Sequence, residues 1–160
     1  MAGKQDWATP WELFNKLDRR FNFTIDGAAE ASNTKCDRFI SPEQNAHKTE
    51  LSTETIFCNP PYSDMLPWVR TFIRWSQNNE VVILCQDRTD TIWWRELVAA
   101  ASEVVFLYGR VNFIGTETGN NRGAVVVGLG TRWERQVCLS WDWRDEEYPT
   151  SLPQECLPDY

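Results

Sequence analysis

The stretch ETIFCNPPYSDMLPWV, residues 54–69, decides how the rest of the chain is read. Ile56-Phe57-Cys58 is an apolar run that stops at Asn59 and then meets Pro60, Pro61 and Tyr62. Neither proline has an N–H to give to a sheet ladder, so both belong just past the end of a strand. Beyond them Met65, Leu66, Val69, Phe72 and Ile73 recur at helical spacing. The order is therefore strand 55–58, a stiff polar turn, then a helix.

The same alternation extends in both directions. Toward the N-terminus, Thr9-Pro10-Trp11-Glu12 reads as a helix start, with Thr9 as N-cap, Pro10 at the first position and Glu12 closing a capping box. Leu13, Phe14, Leu17 and Phe21 then predict a helix over 10–20. Phe21, Phe23 and Ile25 alternate into a short strand that ends at Asp26-Gly27, and the small residues 28–32 suit a tight turn or a helix start. Arg38-Phe39-Ile40 is a strand candidate closed by Ser41-Pro42.

Toward the C-terminus, Val81 to Cys85 is a fully apolar strand, and Asp90 caps a helix carrying Ile92, Trp93, Leu97 and Ala100. Val104 to Tyr108 and Ala124 to Leu129 are strands joined by a polar loop without a helix. The pattern predicts an α/β fold: a mainly parallel sheet with an antiparallel hairpin at its edge and helices on both faces. In such sheets ligands bind beyond the carboxyl ends of the strands. Three polar turns fall there: Asp26 to Ala29, Asn59 to Tyr62, and Asp87 to Asp90.

Composition narrows the class. The chain has 160 residues, 42% hydrophobic and 24% charged, as expected of one globular domain. No apolar stretch approaches the roughly 18 residues of a membrane span, and Met1 to Asp6 lacks the apolar core of a signal peptide. The expectation is a soluble cytoplasmic protein without a membrane partner. The five cysteines (36, 58, 85, 138 and 156) stand singly and His47 is the one histidine, so no metal site is expected. The lone histidine also argues against Ser-His-Asp and Cys-His hydrolases.

Net charge is −7, yet residues 141–160 carry six acids against Arg144, a net −5, which leaves −2 for residues 1–140. The division expected is a domain over 1–140 and an acidic tail over 141–160. Trp141 and Trp143 would pack the first part of that tail, as an added edge strand or as a contact in a homodimer. The nearly neutral body has room for a local basic face.

The Asn59 side-chain oxygen and a carbonyl preceding a proline are two acceptors on a rigid turn. Together they can take both hydrogens of an exocyclic amino group and aim its lone pair at an electrophile, while Tyr62 offers a stacking face to a planar base or amide. The plainer alternative is a stiff Pro-Pro turn with Tyr62 packed as core. Arg88 and Arg110, at strand ends on the presumed active face, suit phosphate contacts or ion pairs. Loop 115–122, with Arg122, is the nearest thing to a target-recognition element. Glu43, after the second strand candidate, is a candidate for holding ribose hydroxyls.

With these blocks in view, the chain resembles the S-adenosylmethionine-dependent amino-methyltransferases. More narrowly, it resembles the small phage DNA N6-adenine methyltransferases of the Dam type. The resemblance rests on Asp6-Trp7-Ala8-Thr9-Pro10, Ile25-Asp26-Gly27-Ala28-Ala29 with Asn33-Thr34-Lys35-Cys36, Asn59-Pro60-Pro61-Tyr62, Arg88-Thr89-Asp90-Thr91 and Gly109-Arg110-Val111-Asn112-Phe113. It implies a Rossmann-like methyltransferase fold. It implies S-adenosylmethionine as cofactor, held by the Trp7, Thr9 and Pro10 segment and the Asp26, Gly27, Ala28 and Ala29 turn, next to Asn59. It implies Asn59, Pro60, Pro61 and Tyr62 as the catalytic turn and DNA as partner; Arg88, Asp90, Arg110 and Arg122, by their places at strand ends and in the polar loop, are the candidates for DNA contact. If phage-encoded, the protein would act in the host cytoplasm. RNA adenine and protein glutamine are alternative targets of the same turn. A non-catalytic binder, with a degenerate fold and an acidic tail for a basic partner, is the reading of a different class.

Overall fold

The computed structural model describes residues 7–115 and 122–151; Asp6, residues 116–121 of the candidate recognition loop and residues 152–160 of the acidic tail lie outside the described residues. In chain order the elements are α1 (Trp11–Phe21), β1 (Ile25–Asp26), a 3-10 turn (Ala46–Lys48), β2 (Thr55–Cys58), α2 (Met65–Trp75), β3 (Glu80–Gln86), α3 (Ile92–Ala100), β4 (Glu103–Tyr108), β5 (Ala124–Leu129) and β6 (Val137–Asp142). The strands form one sheet in the order β1-β2-β3-β5-β4-β6. Pairs β1–β2, β2–β3 and β4–β6 are parallel, whereas β5 runs antiparallel to both β3 and β4.

Alternation along the strands sends side chains to two separate cores. Ile56, Cys58, Val81, Ile83 and Cys85 face α2 and α3, meeting Val69, Phe72, Trp75, Trp94 and Leu97. Phe57, Val82 and Leu84 face the other way, where α1 supplies Leu13, Phe14, Leu17 and Phe21. Each such side chain contributes roughly 1.5–3 kcal/mol relative to exposure. The sheet is therefore covered on both faces, as a Rossmann-like methyltransferase fold requires. Among the described residues no helix is long and apolar enough to cross a membrane.

Several local expectations change. The β4–β5 pair is not at the sheet edge, because β6 adds outside β4. Its alternation, with Val137, Leu139 and Trp141 buried and Cys138 and Ser140 exposed, is that of a half-covered strand. The first strand shortens to Ile25–Asp26, and Ala28 to Ser32 form turns rather than a helix start. The segment at Arg38 to Ile40 contributes a single parallel bridge, Phe39 to Asp26. Thr9 does not cap α1: Pro10 is the N-cap residue and no side chain closes a box. Thr91, not Asp90, caps α3, accepting from the Trp94 N–H at 3.3 Å. Asp90 instead pairs with Arg88 at 3.2 Å. On α3, Trp94 is buried and Ile92 is exposed, so the apolar face is rotated from that expected.

Residue 140, taken above as the end of the domain, lies inside β6. Trp141, Trp143 and Tyr148 join the core that α1 covers. Lys16 on α1 holds this segment, its Nζ donating to the carbonyls of Trp143, Arg144 and Glu146 at 2.8, 3.1 and 3.0 Å. Fully buried Glu103 on β4 accepts from the Trp133 indole N–H at 2.8 Å and the Tyr148 hydroxyl at 3.0 Å through one oxygen. Burial, with the adjacent Glu103, pushes the Tyr148 phenol well up, so it remains a donor.

Two stability measurements test this arrangement. Tyr148→Ala opens a cavity and removes a donor from a buried carboxylate, and should cost about 3–5 kcal/mol in denaturant unfolding, against about 1–3 kcal/mol for Tyr148→Phe. At Gly27 an added Cβ would lie 3.1 Å from Ile56 Cγ2 and 3.1 Å from Trp75 Cζ3. Gly27→Val should therefore act through overpacking and lower stability by about 1–3 kcal/mol. A Gly27→Val protein melting like wild type would contradict that packing.

Candidate active site

The directions of the strands determine which turns meet. Because β1, β2 and β3 are parallel, Asp26, Asn59 and Asp87 leave the sheet on the same edge. Antiparallel β5 brings Arg122 and Gly123 to that edge at its start, and β4 brings Gly109 and Arg110 there at its end. Against this edge lies a cleft of about 410 Å³ lined by residues of the first, second and third sequence blocks. Trp7, Thr9, Asp26, Ala28, Ala29, Asn59 and Pro61 line it; Pro10, Gly27, Glu43, Pro60 and Tyr62 do not. Gly27 faces the α2 core, which explains its missing side chain by packing. Glu43 is exposed and lines a separate depression with Arg38 and Gln44. Its carboxyl is held low by a hydrogen bond from Ser41.

Asp26 is the buried charge of the cleft, 3% exposed. One carboxylate oxygen accepts from the Ala28 N–H at 3.2 Å and the other from the Lys35 N–H at 3.1 Å. Burial outweighs these donors and raises its pKa to about 6. Lys35 is also among the cleft residues, and its Nζ lies 4.1 Å from the centre of the Trp11 ring.

Asn59 is held from the other side. Its Nδ2 donates to the Trp7 carbonyl at 2.8 Å and the Thr9 hydroxyl at 3.2 Å, while Oδ1 accepts from the Tyr62 hydroxyl at 2.6 Å. A carbonyl can only accept, so the Trp7 contact settles which amide atom is nitrogen. Thr9, 2% exposed, uses its hydroxyl here rather than on the helix end. The segment is itself pinned, with Ala8 and Ile114 exchanging both backbone hydrogen bonds at 3.1 and 2.9 Å. Trp7 stacks on Phe113 at 6.0 Å between ring centres, and Tyr62 meets both rings edge-on at 6.2 and 6.5 Å. Burial pushes the Tyr62 phenol and the Cys58 and Cys85 thiols well up, so all three keep their protons.

The far end of the cleft uses residues that the sequence reading did not single out: Ser41, Asn45, His47 and Trp68. Arg74 on α2 positions this wall by donating to the carbonyls of Ala46, His47 and Thr49, and the Trp75 indole N–H joins it at Thr49. His47 Nδ1 lies 2.8 Å from the Thr71 hydroxyl, which donates to the Pro67 carbonyl at 3.0 Å. Asn33 and Lys35 lay within a recognised block without a role; His47 and Trp68 had no local signal.

On the rim, Arg88 is bonded to Asp90, whose carboxyl is held low chiefly by that hydrogen bond, with Arg122 adding to the field. Arg88, Asp90, Arg110 and Arg122 therefore share the edge on which the cleft lies. Among the described residues no cluster of three or more His, Cys, Asp or Glu side chains could hold a metal ion.

Comparison with known proteins identifies the family. Residues 1–147 match the profile of the family described as DNA N-6-adenine-methyltransferase (Dam). A protein named DNA N-6-adenine-methyltransferase from Haemophilus phage HP1 (strain HP1c1) is 37% identical over 136 residues, covering 79% of each chain. A protein of the same name from Escherichia phage T1 is 29% identical over 143 residues, covering 75% of this chain and 60% of its own. With its Asp26, Asn59 and Arg88 turns on one sheet edge and a profile match spanning nearly its whole length, the chain belongs to the DNA N-6-adenine-methyltransferase (Dam) family.

Proposed function

We propose that this chain transfers a methyl group from S-adenosylmethionine to the N6 amino group of adenine in DNA, in the cytoplasm, that of the host if it is phage-encoded. The target base would leave its stack to reach Asn59, as DNA methyltransferases require. The observation that carries the reading is the Asn59 amide, which stands at the cleft with Oδ1 held as an acceptor by the bonds of Nδ2 to Trp7 and Thr9.

The cleft suits the cofactor. At about 410 Å³ it lies in the range of small-molecule sites. Asp26 and Lys35 would take the ammonium and carboxylate of the methionine end, and Ala28 and Ala29 would allow close approach. Asn45, His47 and Trp68 would serve the adenosine end with polar and planar contacts. Bound S-adenosylmethionine supplies an electrophilic methyl on a sulfonium, already a good leaving group.

The chain's own part is to orient the amine. Asn59 Oδ1 and the Pro60 carbonyl would each accept one amino hydrogen, turning the nitrogen lone pair away from the base plane. As the nitrogen gains positive charge these acceptors bind it more strongly, which is transition-state stabilisation. Pro60 and Pro61 keep them rigid. Trp7, Tyr62 and Phe113 offer aromatic surface beside the base, and Arg88, Arg110 and Arg122 would contact phosphates, with Asp90 aiming Arg88.

Asn59→Ala tests the reading directly. It should lower kcat by about 10²–10³ with labelled cofactor and DNA while S-adenosylhomocysteine still binds, with the melting temperature lowered because Trp7, Thr9 and Tyr62 lose a shared partner. Wild-type turnover in that variant would overturn the assignment, and label appearing in RNA or protein instead of DNA would redirect the substrate. Asp26 gives a second test. An ammonium group prefers the ionised carboxylate, so affinity should hold above the pKa of about 6 and weaken below it. Calorimetry with S-adenosylhomocysteine should show about tenfold weaker binding at pH 5 than at pH 7.5, with the pH dependence much reduced in Asp26→Asn. Equal wild-type affinity at the two pH values would remove Asp26 from the site.

A further inference from the structure

The Tyr62 hydroxyl points at Asn59, and its ring is absent from the walls of the cleft. It lies 2.6 Å from Asn59 Oδ1, and 3.4 Å from the Leu84 carbonyl on β3. Burial keeps the phenol protonated, so it can only donate to Oδ1. The ring is held edge-on by Trp7 and Phe113. Both faces of the amide group are therefore accounted for: the nitrogen end by Trp7 and Thr9, the oxygen end by Tyr62.

We propose that Tyr62 is a positioning residue whose hydroxyl sets the angle of the Asn59 carbonyl and so selects which of its lone pairs meets the reacting amine. This rests on Asn59 being the acceptor proposed above. An amide oxygen has two lone pairs lying in the amide plane. Tyr62 occupies one of them, which leaves the other as the direction from which an amino hydrogen can be accepted. The two Nδ2 bonds prevent the amide from turning over, and the Tyr62 bond stops it from rocking about its Cβ–Cγ axis. Linked bonds through one amide also reinforce each other, so the Trp7 and Tyr62 contacts stiffen the group together. The fourth residue of the Asn-Pro-Pro-Tyr turn thereby acts through the first, with the two prolines fixing the distance between them.

This role separates from base stacking in the kinetics of a single variant. Tyr62→Phe keeps the ring and deletes the hydroxyl. With DNA and S-adenosylmethionine, kcat should fall by about tenfold to a hundredfold, because misplacement of a reacting partner by about 1 Å can cost that much. The KM for DNA and the affinity for S-adenosylhomocysteine should stay within about twofold of wild type, since neither ligand loses a contact. A melting curve on the same protein checks that it is folded. A kcat within twofold of wild type overturns the proposal, and so does a loss carried by KM for DNA with kcat kept, which would put the Tyr62 hydroxyl on the DNA rather than on Asn59. Asn59→Ala, run in parallel, separates two failures. An inactive Asn59→Ala beside a fully active Tyr62→Phe removes only the positioning role. An Asn59→Ala of wild-type activity removes the reading on which it rests.

Discussion

The side-chain amide of Asn59 joins parts of the chain that are 52, 50 and 3 residues away in sequence. Through Trp7 and Thr9 it fastens the segment ahead of α1 to the end of β2. Through the bridge between Ala8 and Ile114 that segment is fastened in turn to the loop after β4. The cleft residues Trp7 and Thr9 and the aromatic group of Trp7, Tyr62 and Phe113 meet at these bonds. A polar side chain at a strand end usually finds water. This one is enclosed by partners, and a partly buried amide with both ends bonded has a single orientation.

Asp26 shows the opposite balance. Its carboxyl has two backbone donors, yet burial still raises its pKa from 3.8 to about 6. A folded pKa above the unfolded one means that the ionised form costs stability. The cost is absent below the unfolded pKa and complete above the folded one, where it amounts to about 3 kcal/mol. A fold optimised for stability alone would place a neutral residue there. A buried carboxylate kept at such a cost in a cleft is more characteristic of a binding group than of a structural one.

The acidic end of the chain is part of the same economy of space. A six-stranded sheet whose last strand is β6 needs a cover for the outer half of its second face. Trp141, Trp143 and Tyr148 complete it, with Lys16 bonding the carbonyls of Trp143, Arg144 and Glu146 and Glu103 anchoring Tyr148. The acids around them, such as Glu146 and Glu147, are exposed, so negative charge is carried by a segment whose apolar residues are core. Composition saw the charge; only packing showed what the segment does.

Much of the architecture was legible in residues 54–69 and their neighbours. Apolar runs of Val81 to Cys85 and Ala124 to Leu129 admit few readings, and prolines after Cys58 mark a strand end through a missing N–H. Helical spacing from Leu13 to Phe21 and from Met65 to Phe72 identified two helices for the same local reason. What the sequence could not determine depends on neighbours far along the chain. Whether Thr9 caps a helix or bonds Asn59 turns on how the segment after Trp7 crosses β2, since one hydroxyl can serve either. Gly27 looked like a cradle for a ligand until Ile56 and Trp75 were found behind it. His47 and Trp68 had no motif, because α2 brings them to the cleft through Arg74 and the turn it holds. Local chemistry set the elements and the catalytic-looking turn; the sheet's parallel register, which brings Asp26, Asn59 and Asp87 to one edge, decided which of those residues could act together.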